Sequence, residues 1–190
     1  MKTKIFSIIA LLFLALVSCS NKQIKAEVKH PKILVVYFSQ GGNTRMLAST
    51  IKESIGGDLF SIEPTPSYPS GDIHDLVQKQ IDKGTLPVLK TKVKNLNSYD
   101  AIFVGTPNWF NNISLPVKAF LKENKLTGKN VIPFATFGGS AGNTLTDIAG
   151  LCPHSIILEG FSVSGDDIKN NPQVVKKNVR IWLDKIKTKF

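Results

Sequence analysis

The sequence predicts an α/β fold, a doubly wound five-stranded parallel sheet with helices on both faces. Three observations carry this expectation. Five short apolar runs alternate with five amphipathic helical patterns between Lys32 and Lys187. The first run, Ile33-Leu34-Val35-Val36-Tyr37-Phe38, is apolar at consecutive positions, as a strand covered on both faces must be. Three of the runs stop at Gly-containing polar loops, residues 39–44, 105–115 and 137–144. Right-handed crossovers make such a sheet parallel, and its ligands sit beyond the carboxyl ends of the strands. The three loops therefore describe one crevice.

Taken in order, the first strand ends at Ser39-Gln40-Gly41-Gly42-Asn43-Thr44, and a helix begins at once with Leu47, Ala48, Ile51 and Ile55 on one face. Gly56-Gly57 close that helix. Asp58 to Glu63 reads as the second strand. Pro64 to Gly71, with three prolines, reads as a surface loop without regular structure. Asp72 to Lys83 is helical, with Ile73, Leu76, Val77 and Ile81 as its apolar stripe, and Gly84 to Ser98 is an irregular, Lys-rich connection. Ala101-Ile102-Phe103-Val104 is the third strand, ending at Gly105, and Thr106 to Leu115 is a polar loop. Pro116 opens the next helix, burying Val117, Phe120 and Leu121. Asn130 to Thr136 is the fourth strand, and a helix with Leu145 and Ile148 follows its loop. Ser155 to Leu158 is the fifth strand. The last helix, Pro172 to Lys187, buries Val175, Val179, Trp182, Leu183 and Ile186 and turns Lys176, Lys177, Arg180 and Lys187 to solvent.

The chemistry of the loops narrows the ligand. A strand-to-helix turn gathers free N–H groups at the positive end of the helix dipole, which suits an anion. Gly41 and Gly42 let a phosphate approach the backbone, and Ser39 and Thr44 add hydroxyls. No Lys precedes Thr44, and the loop is neither a Walker A loop nor G-x-G-x-x-G. The second loop sets Trp109 and Phe110 beside Asn108, Asn111 and Asn112, which suits a flat heterocycle with hydrogen-bonding edges. The third is built of small residues that admit a ring edge to backbone N–H groups. Phosphate, ring and backbone-lined edge together point to a mononucleotide-like ligand such as FMN.

The chain begins with a different kind of signal. Lys2 and Lys4 precede an apolar stretch, Ile5 to Val17, that is shorter than the roughly 20 residues of a membrane span. Leu16-Val17-Ser18-Cys19 then matches a bacterial lipobox, predicting a lipoprotein signal peptide over residues 1–18 and lipidation of Cys19. No twin Arg is present, so the expected route is Sec. Residues 19–31 read as a flexible polar tether, and residues 32–190 as one domain. The expected location is the cell envelope, anchored by lipid on the periplasmic side or in the outer membrane.

The full chain carries 24 Lys and Arg against 14 Asp and Glu, and loss of Lys2 and Lys4 leaves 22 basic residues. Export and the absence of basic runs interleaved with aromatics argue against a nucleic-acid partner. Beyond Cys19, Cys152 is the remaining cysteine, so no intrachain disulfide is expected and Cys152 reads as a buried small hydrophobe. His30, His74 and His154 have no metal-ligand spacing. No residue stands out as a catalytic acid or base.

The motifs V-V-Y-F-S-Q-G-G-N-T (35–44), Y-D-A-I-F-V-G-T-P-N-W-F (99–110), L-P-V-K-A-F-L (115–121), G-K-N-V-I-P-F-A-T-F-G-G-S-A-G-N-T (128–144) and C-P-H-S-I-I-L-E-G (152–160), in that order, resemble the flavodoxin-like family. The resemblance implies strand order 2-1-3-4-5. It implies that Ser39, Gln40, Gly41, Gly42, Asn43 and Thr44 hold the FMN phosphate. It also implies that Thr106, Pro107, Asn108, Trp109 and Phe110 flank the isoalloxazine, while Gly138, Gly139, Ser140 and Gly142 face its other edge. The chain departs from the family where Phe137 stands in place of a frequent His, and where its basic balance replaces an acidic one. Three functions stay open at this point. One is electron transfer with a redox partner protein or a small quinone-like acceptor. Another is an FMN-dependent NAD(P)H:quinone or nitro-compound reductase, and the third is a non-flavin binding lipoprotein on the same fold.

Overall fold

The computed structural model describes residues 30–190; the expected signal peptide, Cys19 and the tether as far as residue 29 lie outside the described residues. In chain order the elements are β1 (Ile33–Tyr37), α1 (Asn43–Ile55), β2 (Asp58–Ser61), β3 (Pro64–Thr65), α2 (His74–Asp82), β4 (Val88–Leu89), β5 (Ala101–Trp109), β6 (Asn112–Ile113), α3 (Leu115–Glu123), β7 (Asn130–Phe137), α4 (Thr144–Leu151), β8 (Ile156–Ile157), β9 (Phe161–Ser164), α5 (Gly165–Asn170) and α6 (Pro172–Ile186).

The main sheet runs β2-β1-β5-β7-β8, with β9 also paired to β7. Its long pairings are all parallel. This is the expected order 2-1-3-4-5. Period-2 alternation divides the strand residues between two cores. Ile33, Val35, Tyr37, Phe103 and Phe134 face α1 and α6, where Leu47, Ile51, Val179 and Trp182 meet them. Leu34, Val36, Ile102, Val104 and Val131 face the opposite layer, where Val117, Phe120 and Ile148 from α3 and α4 cover them. Burial on both faces explains why the strand sequences are apolar without alternation.

Gly105 marks the tightest point between strands. A Cβ built there would lie 2.1 Å from the Phe134 ring, so the absent side chain leaves room for a fully buried aromatic on the neighbouring strand.

Several elements differ from expectation. β5 does not stop at Gly105; it continues to Trp109 and folds back on β6, pairing Asn108 with Ile113 and Trp109 with Asn112. The expected polar loop is therefore largely a β-hairpin. Its two turn residues, Phe110 and Asn111, have φ of 53° and 63°, the backbone of a type I′ turn. Pro64–Thr65, expected to be irregular, pairs antiparallel with Val88–Leu89 from the expected irregular connection.

The fifth strand is split. Ile156–Ile157 pairs with Asn130–Val131, and Phe161–Ser164 pairs with Phe134–Phe137. The break lies beside Pro133, which has no N–H to give to a ladder. Gly160 passes so close there that a Cβ would sit 2.6 Å from the Pro133 carbonyl. The α2 stripe is also only partly used: Val77 is buried, whereas Leu76 and Ile81 are 40% and 41% exposed. The stripe of α6 is buried as expected.

Cys152 is buried as expected, and burial pushes its thiol up to about 11. A thiol held protonated by the fold contributes stability that is fully present below its unfolded value, near pH 8.5. That contribution is lost as pH rises toward about 11. The expected result is negligible alkylation of the native chain by iodoacetamide at pH 8, with full labelling once denaturant unfolds it.

Candidate functional site

The carboxyl ends of β1, β5 and β7 lie side by side, because these three strands are neighbours in the sheet. Their following segments meet over that rim. A cavity of about 280 Å³ opens between them, lined by Ser39, Gln40, Gly41, Asn43 and Thr44, by Pro107 and Asn108, and by Thr136, Phe137 and Gly138. Gly165, Asp166 and Lys169 of α5 close its remaining side.

The first segment leaves the start of α1 open. The 13-residue helix α1 has no side-chain cap and no acidic residue in its first turn. Its Ncap is Gly42, whose φ of 93° is left-handed and favours glycine. The hydroxyl of Ser39 accepts from the Gly42 N–H at 3.1 Å, which curls the loop over the helix end. Gln40 Nε2 donates to the Pro69 carbonyl at 2.8 Å, tying the segment to the loop before α2. The positive end of the α1 dipole is thus left for an external negative charge.

Thr44 is held differently from the rest of the segment. It is 1% exposed, and its hydroxyl lies 2.8 Å from that of Thr136 across the β1–β7 rim. Thr44→Val strands the buried Thr136 hydroxyl. The expected loss is about 1–3 kcal/mol, read from urea denaturation.

Asn108 carries an unmet hydrogen-bonding capacity. Its Nδ2 donates to the Ser140 carbonyl at 2.6 Å, while its Oδ1 is buried with no hydrogen-bond partner. An orphaned acceptor costs about 1–3 kcal/mol, which a donor on a bound molecule would recover. Asn108 is also one of the residues lining the crevice.

The remaining predicted residues stand around this crevice without lining it. Thr106 is fully buried and accepts from the Ser114 N–H at 3.0 Å, locking the base of the hairpin. Trp109 meets Phe38 and Tyr68 edge-on, at centroid distances of 5.4 and 5.1 Å. Tyr68 in turn donates to Gln80 at 2.8 Å, and burial raises its pKa. Phe110 packs against His74 at 4.6 Å. Neither Trp109 nor Phe110 lines the crevice. Gly139 and Ser140 are exposed. Gly142 docks the third loop on the hairpin: its φ is +55°, a Cβ would lie 2.5 Å from the Asn111 carbonyl oxygen, and the next N–H, of Asn143, donates to that same oxygen at 2.6 Å.

Sequence reasoning missed the α5 wall. The available signal was Ser164-Gly165-Asp166-Asp167, a hydroxyl followed three residues later by a carboxylate. Ser164 does cap α5, accepting from the Asp167 N–H at 3.0 Å. Its hydroxyl and Asn171 hold the Asp167 carboxyl below its usual range. Gly165 matters to the crevice because a Cβ there would meet Asn43 Nδ2 at 2.2 Å. Gly165→Ala is expected to push the Asn43 amide aside. Folding stability should change by under about 1 kcal/mol while affinity for a crevice ligand falls about fivefold, measured by fluorescence titration.

Comparison with known proteins agrees with this architecture. A family profile described as Flavodoxin matches residues 32–186. A candidate flavoprotein from Bacteroides eggerthii is 31% identical, with a TM-score of 0.69, covering 82% of this chain and 98% of its own. A second, from Bacteroides uniformis, is 27% identical with a TM-score of 0.70, covering 82% and 99%. A flavoprotein from Lactobacillus acidophilus, solved in complex with FMN, shares the fold at 21% identity and a TM-score of 0.60, covering 75% and 97%. With its strand order, its three rim loops and this profile over most of its length, the chain belongs to the flavodoxin family.

Proposed function

We propose that this chain binds FMN non-covalently in the crevice and serves in electron transfer, tethered to the bacterial envelope through a lipid on Cys19. The observation that carries the reading is the convergence of three strand-end segments on one cavity that pairs an uncapped helix terminus with an orphaned amide oxygen. The family membership and the FMN complex of the Lactobacillus neighbour support it.

The residues present fit the cofactor. Ser39 to Asn43 would hold the phosphate through backbone N–H groups and the dipole of α1. Asn108 Oδ1 would accept from the ring system, and Gly138 leaves the third wall open to a ring edge. Bound FMN would supply the redox chemistry, while the protein positions it and sets its surroundings. Among the residues lining the crevice, Lys169 supplies positive and Asp166 negative charge, both at the α5 wall. Phe137 supplies an apolar wall where a His would offer a proton.

The test is direct. Residues 20–190, purified and mixed with FMN, should shift the flavin absorbance bands and quench flavin fluorescence on binding. A flavin spectrum identical to that of free FMN at millimolar protein overturns the reading. For the tether, the full chain expressed in bacteria should incorporate labelled palmitate, and Cys19→Ala should abolish the label and release the protein from membranes. Unlabelled wild-type chain would remove the anchor.

A further inference from the structure

A second cavity lies on the outer side of the β5–β6 hairpin, enclosed by α2, α3 and α4. It measures about 440 Å³, within the range of small-molecule sites. Its walls are largely apolar: Val77 and Ile81 from α2, Trp109 and Ile113 from the hairpin, Leu115 from α3 and Leu151 from α4. This void accounts for the unfinished packing of α2. Ile81 belongs to the core-facing stripe of that helix yet remains 41% exposed, because it borders empty space rather than a neighbouring side chain.

The cavity is not uniformly apolar. Lys118 and Asp147 both border it. Asp147 is already engaged, its Oδ2 accepting from the Ile113 N–H at 3.0 Å. Thr146 donates to the Asn143 carbonyl, and Asn112 donates to the Phe110 carbonyl. Among the described residues Lys118 forms no ion pair and no side-chain hydrogen bond, so its amine is free to meet a ligand, while Asp147 keeps its negative charge with Oδ2 held by the Ile113 N–H. Gly150 widens the space: a Cβ added there meets no atom within 4 Å.

We propose that this cavity is a ligand site distinct from the crevice, taking a flat one- or two-ring aromatic molecule that carries an anionic oxygen. The rings would replace water along Val77, Ile81, Ile113 and Leu151, and the oxyanion would meet Lys118 at the edge. An apolar chain without charge would leave Lys118 unpaired, and a cation would meet repulsion from that amine beside an Asp147 carboxylate already part-engaged by the Ile113 N–H, the poorer of the two partners. The cavity and the crevice share one wall. Pro107 and Asn108 line the crevice, while Trp109, Asn112 and Ile113 of the same hairpin line the cavity. Trp109 is therefore a built-in reporter of occupancy.

The experiment titrates the chain with 2-naphthoate, a redox-inert two-ring carboxylate, following Trp fluorescence and calorimetry. Saturable binding with a stoichiometry of one is expected. Two variants outside the crevice test the assignment. Gly150→Leu places a side chain in the open space on a helix that favours leucine over glycine, so the fold is retained while 2-naphthoate binding is lost. Lys118→Met keeps the apolar stem and removes the charge, so binding of 2-naphthoate falls at least tenfold while that of uncharged naphthalene is unchanged. Wild-type affinity in Gly150→Leu overturns the site, and wild-type affinity in Lys118→Met overturns the choice of an anion. FMN affinity is expected to be unaltered in Gly150→Leu; its loss there would show that cavity and crevice are one site. A chain that fails to take up FMN yet binds 2-naphthoate with these variant effects would sink the flavin reading and leave this one standing.

Discussion

Gly105→Val is expected to destabilise the domain by about 3 kcal/mol or more, the upper range for overpacking a rigid core. For a domain of this size each kcal/mol shifts Tm by roughly 2–4 °C, so a fall of about 10 °C should be seen by calorimetry. The reason lies in the register of β5 on β7, which sets Gly105 directly opposite Phe134. The first added atom would lie 2.1 Å from the end of that ring, and the whole ring edge is within 2.8 Å. Phe134 has no exit, being fully buried in the layer that also holds Phe103 and Ile132. A compensating Phe134→Ala should restore part of the loss in the Gly105→Val background while being destabilising alone. Equal and additive losses would show that the two side chains do not compete for one space.

Gly142→Val is expected to damage the site as well as the fold. Its left-handed φ costs a substituted residue about 1–2 kcal/mol before any contact is counted. Its Cβ would then press on the Asn111 carbonyl oxygen and Cα, at 2.5 and 2.6 Å, and backbone cannot swing aside as a side chain can. The yielding partner is the third loop itself. Moving that loop breaks the Asn143-to-Asn111 hydrogen bond and withdraws the Ser140 carbonyl that orients Asn108. An FMN affinity about ten- to hundredfold weaker is therefore expected, corresponding to the loss of one well-formed polar contact. Flavin fluorescence titration measures it, and urea denaturation separates it from the loss of stability. Unchanged affinity in a destabilised variant would remove Asn108 from the binding account.

Both effects arise from contacts between residues far apart in the chain, and this divides what was legible beforehand from what was not. The apolar runs at Ile33 and Ala101 announced buried parallel strands, since a strand covered on both faces has no polar side to show. The α6 stripe was equally plain, because one helix face repeats every 3.6 residues whatever it packs against. The cradle at Ser39 to Thr44 was readable because strand, glycines and helix start are contiguous.

Other features had no local signature. That Thr106 to Trp109 extends β5 depends on the edge offered by β7 and on the return of β6, while the residues themselves, Thr-Pro-Asn-Trp, read as loop. The split at Leu158 to Gly160 depends on Pro133 lying alongside, 25 residues earlier than Leu158. Trp109 was expected to flank a ligand ring; its commitment to Phe38 and Tyr68 was decided by a loop that folds in from residues 64–71.

By itself the sequence determined the alternation of strands and helices and the residue types at the rim, because periodicity and turn chemistry act over a few neighbouring residues; the pairing order was implied only by the family resemblance and is seen in the sheet. Tertiary structure alone decided which rim residues share a cavity, that α5 supplies its last wall, and that Asn108 keeps an unpaired oxygen there. Those outcomes depend on strand register and on where distant backbone leaves space, and neither is written in any single stretch of the chain.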